Sequence, residues 1–378
     1  MTVQRSRFLS IAALLALATM SKPASAQVAD QCLYNDAHFH VQDFRAQGVP
    51  IPDVVKMMDG NVCRAVMMGL AVTIAHDPVI DGKFAPVYYT QTDGQVLYYN
   101  AIQDVLVAHK YLALPEKDRA RLDPLMSAFN LKDSRAGEYI KLMVRLYPGV
   151  WSGFGEIHFK KQEFSEKVSG GPPSLYSASL DDVFDAIGEM GAVAVVHCDH
   201  DTPGNLDLFK DPFARAQYFG GGTPKPQYLE AFQAFLNRHP NVTMIWAHFM
   251  GNGRGVRPYP EHWQYMDAML GDPAFRHVSI DLSWGSVIAA GVLDTPEHVK
   301  MTADLIRKYP DRFLFGSDQA ATQDWVLLKK SYDVWDPLWR QLGPELTRKI
   351  CKENYARVFD QSKKNIRAWE AKNGAPVR

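Results

Sequence analysis

Short apolar runs alternate with helix-like stretches along almost the whole chain. Hydrophobic periodicity predicts strands near residues 33–40, 63–70, 123–130, 150–159, 192–199, 242–249, 277–284 and 312–318. Helical patterns separate most of them, at 99–113, 134–147, 179–190, 226–238 and 296–308. Ser179 ahead of Asp181 and Asp182 reads as a helix start, and Gly191 as a helix stop before the fifth strand. Strands alternating with helices imply repeated βα units and a parallel sheet. Eight of them predict a closed (β/α)₈ barrel, the TIM-barrel architecture of the α/β class, as one domain over 27–378. The competing open doubly wound sheet is the weaker reading, because no Gly-x-Gly-x-x-Gly follows the first strand. The tail over 325–371 reads as helices packed on the outside of the barrel, with Trp325, Trp335 and Trp339 at near-helical spacing as a core stripe. Three long βα loops, 71–98, 160–178 and 200–225, fall at the face where barrels keep their chemistry, and two of them carry glycine clusters, Gly170-Gly171 and Gly220-Gly221-Gly222.

The first residues form a separate unit. Arg5 and Arg7 precede an apolar run from Phe8 to Thr19, too short to span a bilayer, and Ala24-Ser25-Ala26 supplies the small residues of a cleavage site. This pattern predicts a signal peptide over 1–26, cleavage after Ala26 and export, to the periplasm or out of the cell. Composition adds little to this picture: 47% hydrophobic and 22% charged residues describe an ordinary globular chain. A formal net charge of −1 supplies no field to attract nucleic acid or an anionic membrane. Cys32 and Cys63 each precede a strand, and those strands would be barrel neighbours, so a disulfide between them is geometrically plausible, with two separate buried thiols as the alternative. Cys198 and Cys351 have no evident partners, and no Cys-x-x-Cys suggests a structural zinc site.

The candidate chemistry sits where the strands end. His38 and His40 are one residue apart, so on a strand they share a face and can hold one metal ion. Four other apolar runs each end in a ligand type: Glu156, His197, His248 and Asp318. Each alone has a bland explanation, a satisfied core histidine or a buried partner for a cation. In a barrel all these ends converge on one face, and burying so many carboxylates and imidazoles together without a metal or tight pairing would be costly.

The ordered set Asp36-Ala-His-Phe-His40, Gly155-Glu156, Val196-His197, Ala247-His248 and Phe315-Gly-Ser-Asp318 resembles the amidohydrolase superfamily of metal-dependent barrel enzymes. The closing Asn354-Tyr-Ala-Arg-Val-Phe359 is similar to the C-terminal helix of its amidohydrolase-2 branch. The resemblance covers residues 33 to 360 and implies a hydrolase or lyase with one or two divalent ions, usually zinc. It implies that His38, His40 and Asp318 bind the more buried metal. His197 and His248 then bind a second one, or else His197 completes the first site and His248 polarises the substrate. Glu156 stands where many relatives carry a bridging carboxylated lysine. Implied for the reaction is a metal-activated water attacking a carbonyl, with Asp318 as its proton acceptor.

Other residues have two readings each. His158 shares a face with Glu156 and can touch substrate or face solvent. Asp199 and His200 can support His197 from behind or simply start a loop. Arg254 and Arg257 can clamp a substrate carboxylate, against the commoner role of solvated loop residues. Trp263, Trp284 and Tyr259 can line an apolar pocket or pack the loops. The leading functional expectation is an exported metal-dependent hydrolase of a small amide, ester or lactone. A single-metal non-oxidative decarboxylase is the second, and a non-catalytic ligand-binding barrel the third. The expected partner is a small molecule, with no nucleic acid and no membrane after cleavage. The C-terminal helices are a surface through which a homo-oligomer could form.

Overall fold

The computed structural model describes residues 32–41, 49–70, 99, 101–161, 168, 170–202, 225–253, 256–320 and 325–374. The predicted signal peptide, most of the three long loops and Arg254 lie outside the described residues. Eight strands follow one another in a single parallel sheet in chain order. They are β1 (Tyr34–Asp36), β2 (Val62–Met68), β3 (Leu122–Met126), β4 (Gly153–Lys160), β5 (Val193–Cys198), β6 (Thr243–Trp246), β7 (Val278–Leu282) and β8 (Phe313–Phe315). β8 returns to β1: Ala37 N donates to Phe315 O at 2.9 Å, Asp318 N to His38 O at 2.7 Å and His40 N to Gln319 O at 2.9 Å. The sheet is therefore a (β/α)₈ barrel. Its strands are covered on both faces, which is why β5 reads Val-Ala-Val-Val-His-Cys with every residue buried.

The predicted strands are all present, but β1 and β8 are shorter than their apolar runs suggest. The Asp36 carboxylate explains it. It accepts from His38 N at 3.1 Å and from Ser317 N at 2.9 Å, so side-chain hydrogen bonds replace ladder bonds where both strands turn inward. His38 and His40 consequently follow β1, and only the isolated bridges Phe39–Gln319 and His40–Met68 continue the ladder.

The helices Ile102–Ala113, Ala136–Leu146, Ala178–Glu189, Leu229–Arg238 and Pro296–Lys308 agree with the periodicity. Two helices start three residues later than expected, at Ile102 and Leu229, and Ser177, not Ser179, caps Ala178–Glu189, accepting from Leu180 N. Ser177 takes the role because it is the residue with extended backbone (φ −80°, ψ 140°), as an N-cap requires. Three helices had no clear periodic signal, Ile51–Met57, His262–Gly271 and Gly285–Val292. Phe159, Phe184, Phe232, Phe235 and Trp246 interlock between β4–β6 and the helices outside them, with Phe159 and Phe235 centroids 4.9 Å apart.

Cys32 and Cys63 form a disulfide that ties the start of β1 to β2, with Cα atoms 5.5 Å apart. Cys198 and Cys351 are free and buried. No helix among the described residues is long and apolar enough to cross a membrane.

The C-terminal helix Asn354–Asn373 crosses the N-terminal ends of the strands, opposite the catalytic face. Its Asn354 Nδ2 donates to Phe313 O at 2.8 Å, and its Ser362 Oγ donates to Ser152 O at 2.6 Å. Trp335 and Trp339 are buried as predicted and stack at 6.1 Å, and Trp339 Nε1 donates to Tyr34 Oη at 3.1 Å. The Trp325 side chain lies outside the described residues.

The strongest clasp at this end is Asp123 on β3, which is fully buried. Arg64 Nη2 donates to it at 2.8 Å, Tyr355 Oη at 2.6 Å, and Lys363 Nζ lies 2.7 Å away. Burial alone would raise its pKa, but Arg64 and Lys363 outweigh that and hold it below the usual carboxylate range. Lys363 is a third exposed and Arg64 keeps a second partner, Asp360, at 2.7 Å. Asp123→Ala, which strands chiefly the buried Tyr355 hydroxyl, is expected to lose about 1–3 kcal/mol in chemical denaturation. Because the folded pKa is depressed, the contribution is full above the unfolded Asp pKa of about 4 and is lost as pH falls through the folded value.

Candidate metal centre

The six residues read as ligands converge. His38 and His40 follow β1, Glu156 and His197 are on β4 and β5, and His248 and Asp318 sit in the turns leaving β6 and β8. All six are buried or nearly so; the most open is the Asp318 side chain, 9% exposed. Glu156 is the hub. Its Oε1 lies 2.5 Å from His197 Nδ1, 3.3 Å from His248 Nε2 and 3.6 Å from His38 Nε2. Its Oε2 lies 3.3 Å from His40 Nε2 and 2.7 Å from His158 Nε2. Asp318 Oδ1 faces His38 Nε2 at 3.4 Å and His40 Nε2 at 3.3 Å.

Each imidazole has an outer partner that decides which nitrogen carries its hydrogen. His40 Nδ1 lies 3.2 Å from Gly69 O, a carbonyl that can only accept, so Nδ1 donates and the Nε2 lone pair points inward. His38 Nδ1 pairs with Asp281 Oδ2 at 2.9 Å, and His197 Nε2 with Asp199 Oδ1 at 2.9 Å. His248 Nδ1 lies 2.6 Å from Ser283 Oγ, whose own hydrogen goes to Asp281 Oδ1 at 2.5 Å. Ser283 therefore accepts from His248, leaving the His248 Nε2 lone pair inward. With the outer nitrogens donating, lone pairs face lone pairs: His248 Nε2 is 2.9 Å from His197 Nδ1, and buried His38 Nε2 has no hydrogen-bond partner. Such a cluster of acceptors is what a cation would relieve, so the donor set fits a divalent metal.

The charges point the same way. Burial would push Glu156 up, yet Lys161, His158, His197 and His38 hold it well below the ordinary range. Burial likewise opposes charge on His38, but Glu156, Asp318 and Asp281 outweigh it and raise its pKa well above that of free imidazole. In the metal-free chain a proton thus takes the lone pair for which a metal competes. Burial and the neighbouring His197 press His248 down to about 4.

His248 owes its place to an uncommon backbone. His248, Phe249 and Met250 have φ of 60°, 52° and 63°, a left-handed turn completed by Gly251 at 78°. Left-handed L-residues cost roughly 1–2 kcal/mol each, so the surroundings must hold the turn. His248 N donates to Asp281 Oδ1 at 2.8 Å, Asn252 Nδ2 to Phe249 O at 2.7 Å, and His262 Nε2 lies 2.8 Å from the same carbonyl. At Gly251 a Cβ would lie 2.2 Å from Cys198 O, so the turn also needs glycine for close approach.

The remaining sequence candidates divide. His158 is buried on Glu156, not solvent-exposed, because it follows Glu156 on the inward face of β4. Asp199 supports His197, whereas His200 turns away, its Nε2 3.2 Å from Arg257 O. Arg257 is not a solvated loop residue: its Nη1 donates to Val287 O at 2.6 Å, tying the loop to the helix Gly285–Val292. Trp284 stands beside His248 and His197, at ring distances of 5.1 and 6.5 Å. Trp263 instead stacks on His298 at 4.7 Å, outside the barrel, and Tyr259 donates to Asp201. Sequence reasoning missed Asp281, Ser283 and Lys161. Asp281 carried a usable signal, an acidic residue inside the apolar run Val278-Ser-Ile-Asp-Leu282. Lys161 carried none, since Lys160-Lys161 looks like the start of an ordinary loop.

The chain is similar to several solved structures. A probable 2-pyrone-4,6-dicarboxylic acid hydrolase from Acinetobacter baumannii is 12% identical, with 87% of this chain and 99% of that chain covered and a TM-score of 0.47. A dihydroorotase from Campylobacter jejuni is 14% identical, with 86% and 83% covered and a TM-score of 0.49. A 5-carboxyvanillate decarboxylase from Sphingomonas paucimobilis is 14% identical, with 82% and 80% covered and a TM-score of 0.44. Among curated proteins none matches the chain. The family model described as amidohydrolase matches residues 154–361, more than half of the 378 residues and the barrel from Phe154 in β4 onward. The chain belongs to the amidohydrolase family and is an enzyme of that type.

Proposed function

We propose that this chain is an exported, metal-dependent hydrolase of a small amide, ester or lactone. The observation that carries the reading is the convergence of four imidazole nitrogens on Glu156 and Asp318, each imidazole held from behind by its own hydrogen-bond partner. His38, His40, Asp318, Glu156, His197 and His248 would supply the donors for one or two ions, most simply zinc for a nitrogen-rich donor set. A divalent ion held there supplies Lewis acidity and makes a nearby water acidic enough to attack a carbonyl near neutral pH.

The residues do the rest. Asp318 accepts the proton of the attacking water and returns it to the leaving group, as the carboxylate of the centre most open to solvent. Since its Nδ1 is committed to Ser283, neutral His248 presents a lone pair, which suits a ligand and not a donor to the substrate oxygen. Trp284, whose ring stands beside those of His248 and His197, is placed to limit water around the reacting carbonyl.

Export is supported by the pattern Arg5, Arg7, Phe8–Thr19 and Ala24-Ser25-Ala26, and by the Cys32–Cys63 bridge, which suits an oxidising compartment.

The test is a panel of small amides, esters, lactones and aromatic carboxylates offered to zinc-loaded protein. Acid release that stops on chelation and returns with zinc supports the hydrolase. Carbon dioxide release from aromatic carboxylates, with no hydrolysis anywhere in the panel, replaces it with the decarboxylase. Turnover indifferent to chelation rejects the metal centre.

A further inference from the structure

Lys161 follows β4 and turns back over the hub of the centre. Its Nζ donates to Glu156 Oε2 at 3.0 Å and to Oε1 at 3.3 Å, and lies 3.4 Å from His158 Nε2. The ring of Trp284 flanks it at 5.7 Å, within range of a favourable cation–π contact. The side chain is only 17% exposed.

These contacts have a particular place in the ligand geometry. The donor atoms fall into groups close enough to share an ion: His38, His40 and Asp318; His38, Glu156 and His248; and Glu156, His158 and His197. The first lies on the Asp318 side of the centre. The third is the side on which Lys161 sits, with its ammonium against two of the three members. We propose that Lys161 is a built-in cation occupying the Glu156–His158–His197 corner, so that the centre holds a single exchangeable divalent ion on the His38–His40–Asp318 side.

Two physical effects enforce this. The ammonium takes the space around both Glu156 oxygens on that side, so Glu156 cannot span two ions while Lys161 holds it. It also supplies positive charge that a second ion would otherwise bring. Between buried charges repulsion is poorly screened, so an ion added beside the ammonium would be driven out. Glu156 then anchors the lysine on one side and offers Oε1 toward His38 and His248 on the other.

This inference rests on the metal centre proposed above, and its test separates the two. Wild type, Lys161→Met and Lys161→Arg are each dialysed against the same buffered free zinc, and zinc per chain is counted by plasma mass spectrometry. One equivalent is expected in wild type and Lys161→Arg, and two in Lys161→Met, where the ammonium is gone and the length is kept. Lys161→Gln serves as a second uncharged variant should the methionine variant not fold. Two equivalents in wild type overturn the proposal, as does a single equivalent in a folded uncharged variant. No zinc in any of the proteins removes the metal centre itself and the inference with it.

Discussion

Asp318→Asn is expected to keep its metal and lose about 10²–10⁴-fold in turnover, the span that one positioned acid–base group contributes. The geometry separates the two roles. As a ligand, Asp318 needs only Oδ1, which faces His38 and His40 at 3.4 and 3.3 Å, and an asparagine retains an oxygen there. As a proton carrier it needs a carboxylate, which the amide cannot replace. Glu156 is a poor substitute, because it is fully buried and already engaged by His158, His197 and Lys161. The comparison is zinc per chain and kcat for wild type and variant. Near-normal kcat with zinc retained would take the proton transfer away from Asp318.

Asp281→Ala is expected to weaken zinc binding by about 10–100-fold, the usual cost of losing a partner behind a metal-bound histidine. The effect is placed near the upper end because Asp281 serves two ligands. Its Oδ2 fixes His38 Nδ1, and its Oδ1 receives His248 N and Ser283 Oγ, the group that in turn orients His248 Nδ1. Without it the His38 hydrogen is free to move to Nε2, where it blocks the lone pair. A competition titration against a chelator of known affinity reads the change, and a thermal melt confirms that the variant is folded. Wild-type affinity in a folded variant would show that His38 and His248 need no such support.

Most of the barrel was legible because burial on both faces of a parallel strand leaves an apolar run, as in β5 and β8. The ligands were legible for a related reason: a histidine or carboxylate that closes such a run interrupts it visibly. His197 and Glu156 are of this kind. What periodicity does not carry is backbone direction. The left-handed turn that aims His248 is held by Asn252, His262 and Asp281, contacts between 3 and 33 residues apart in sequence. The same holds for Asp36, whose carboxylate ends β1 and β8 together and places His38 beside Asp318. Lys161 was hidden most completely, because its charge is spent on a residue inside the barrel while its sequence neighbours are those of a surface loop.

The most direct measurement is anomalous scattering at the zinc edge from crystals of the protein grown with zinc. The metal centre predicts a peak among His38 Nε2, His40 Nε2 and Asp318 Oδ1, within bonding distance of at least those three atoms and absent from His38→Ala. An ordered site with no peak there, or zinc bound only elsewhere on the chain, would contradict it.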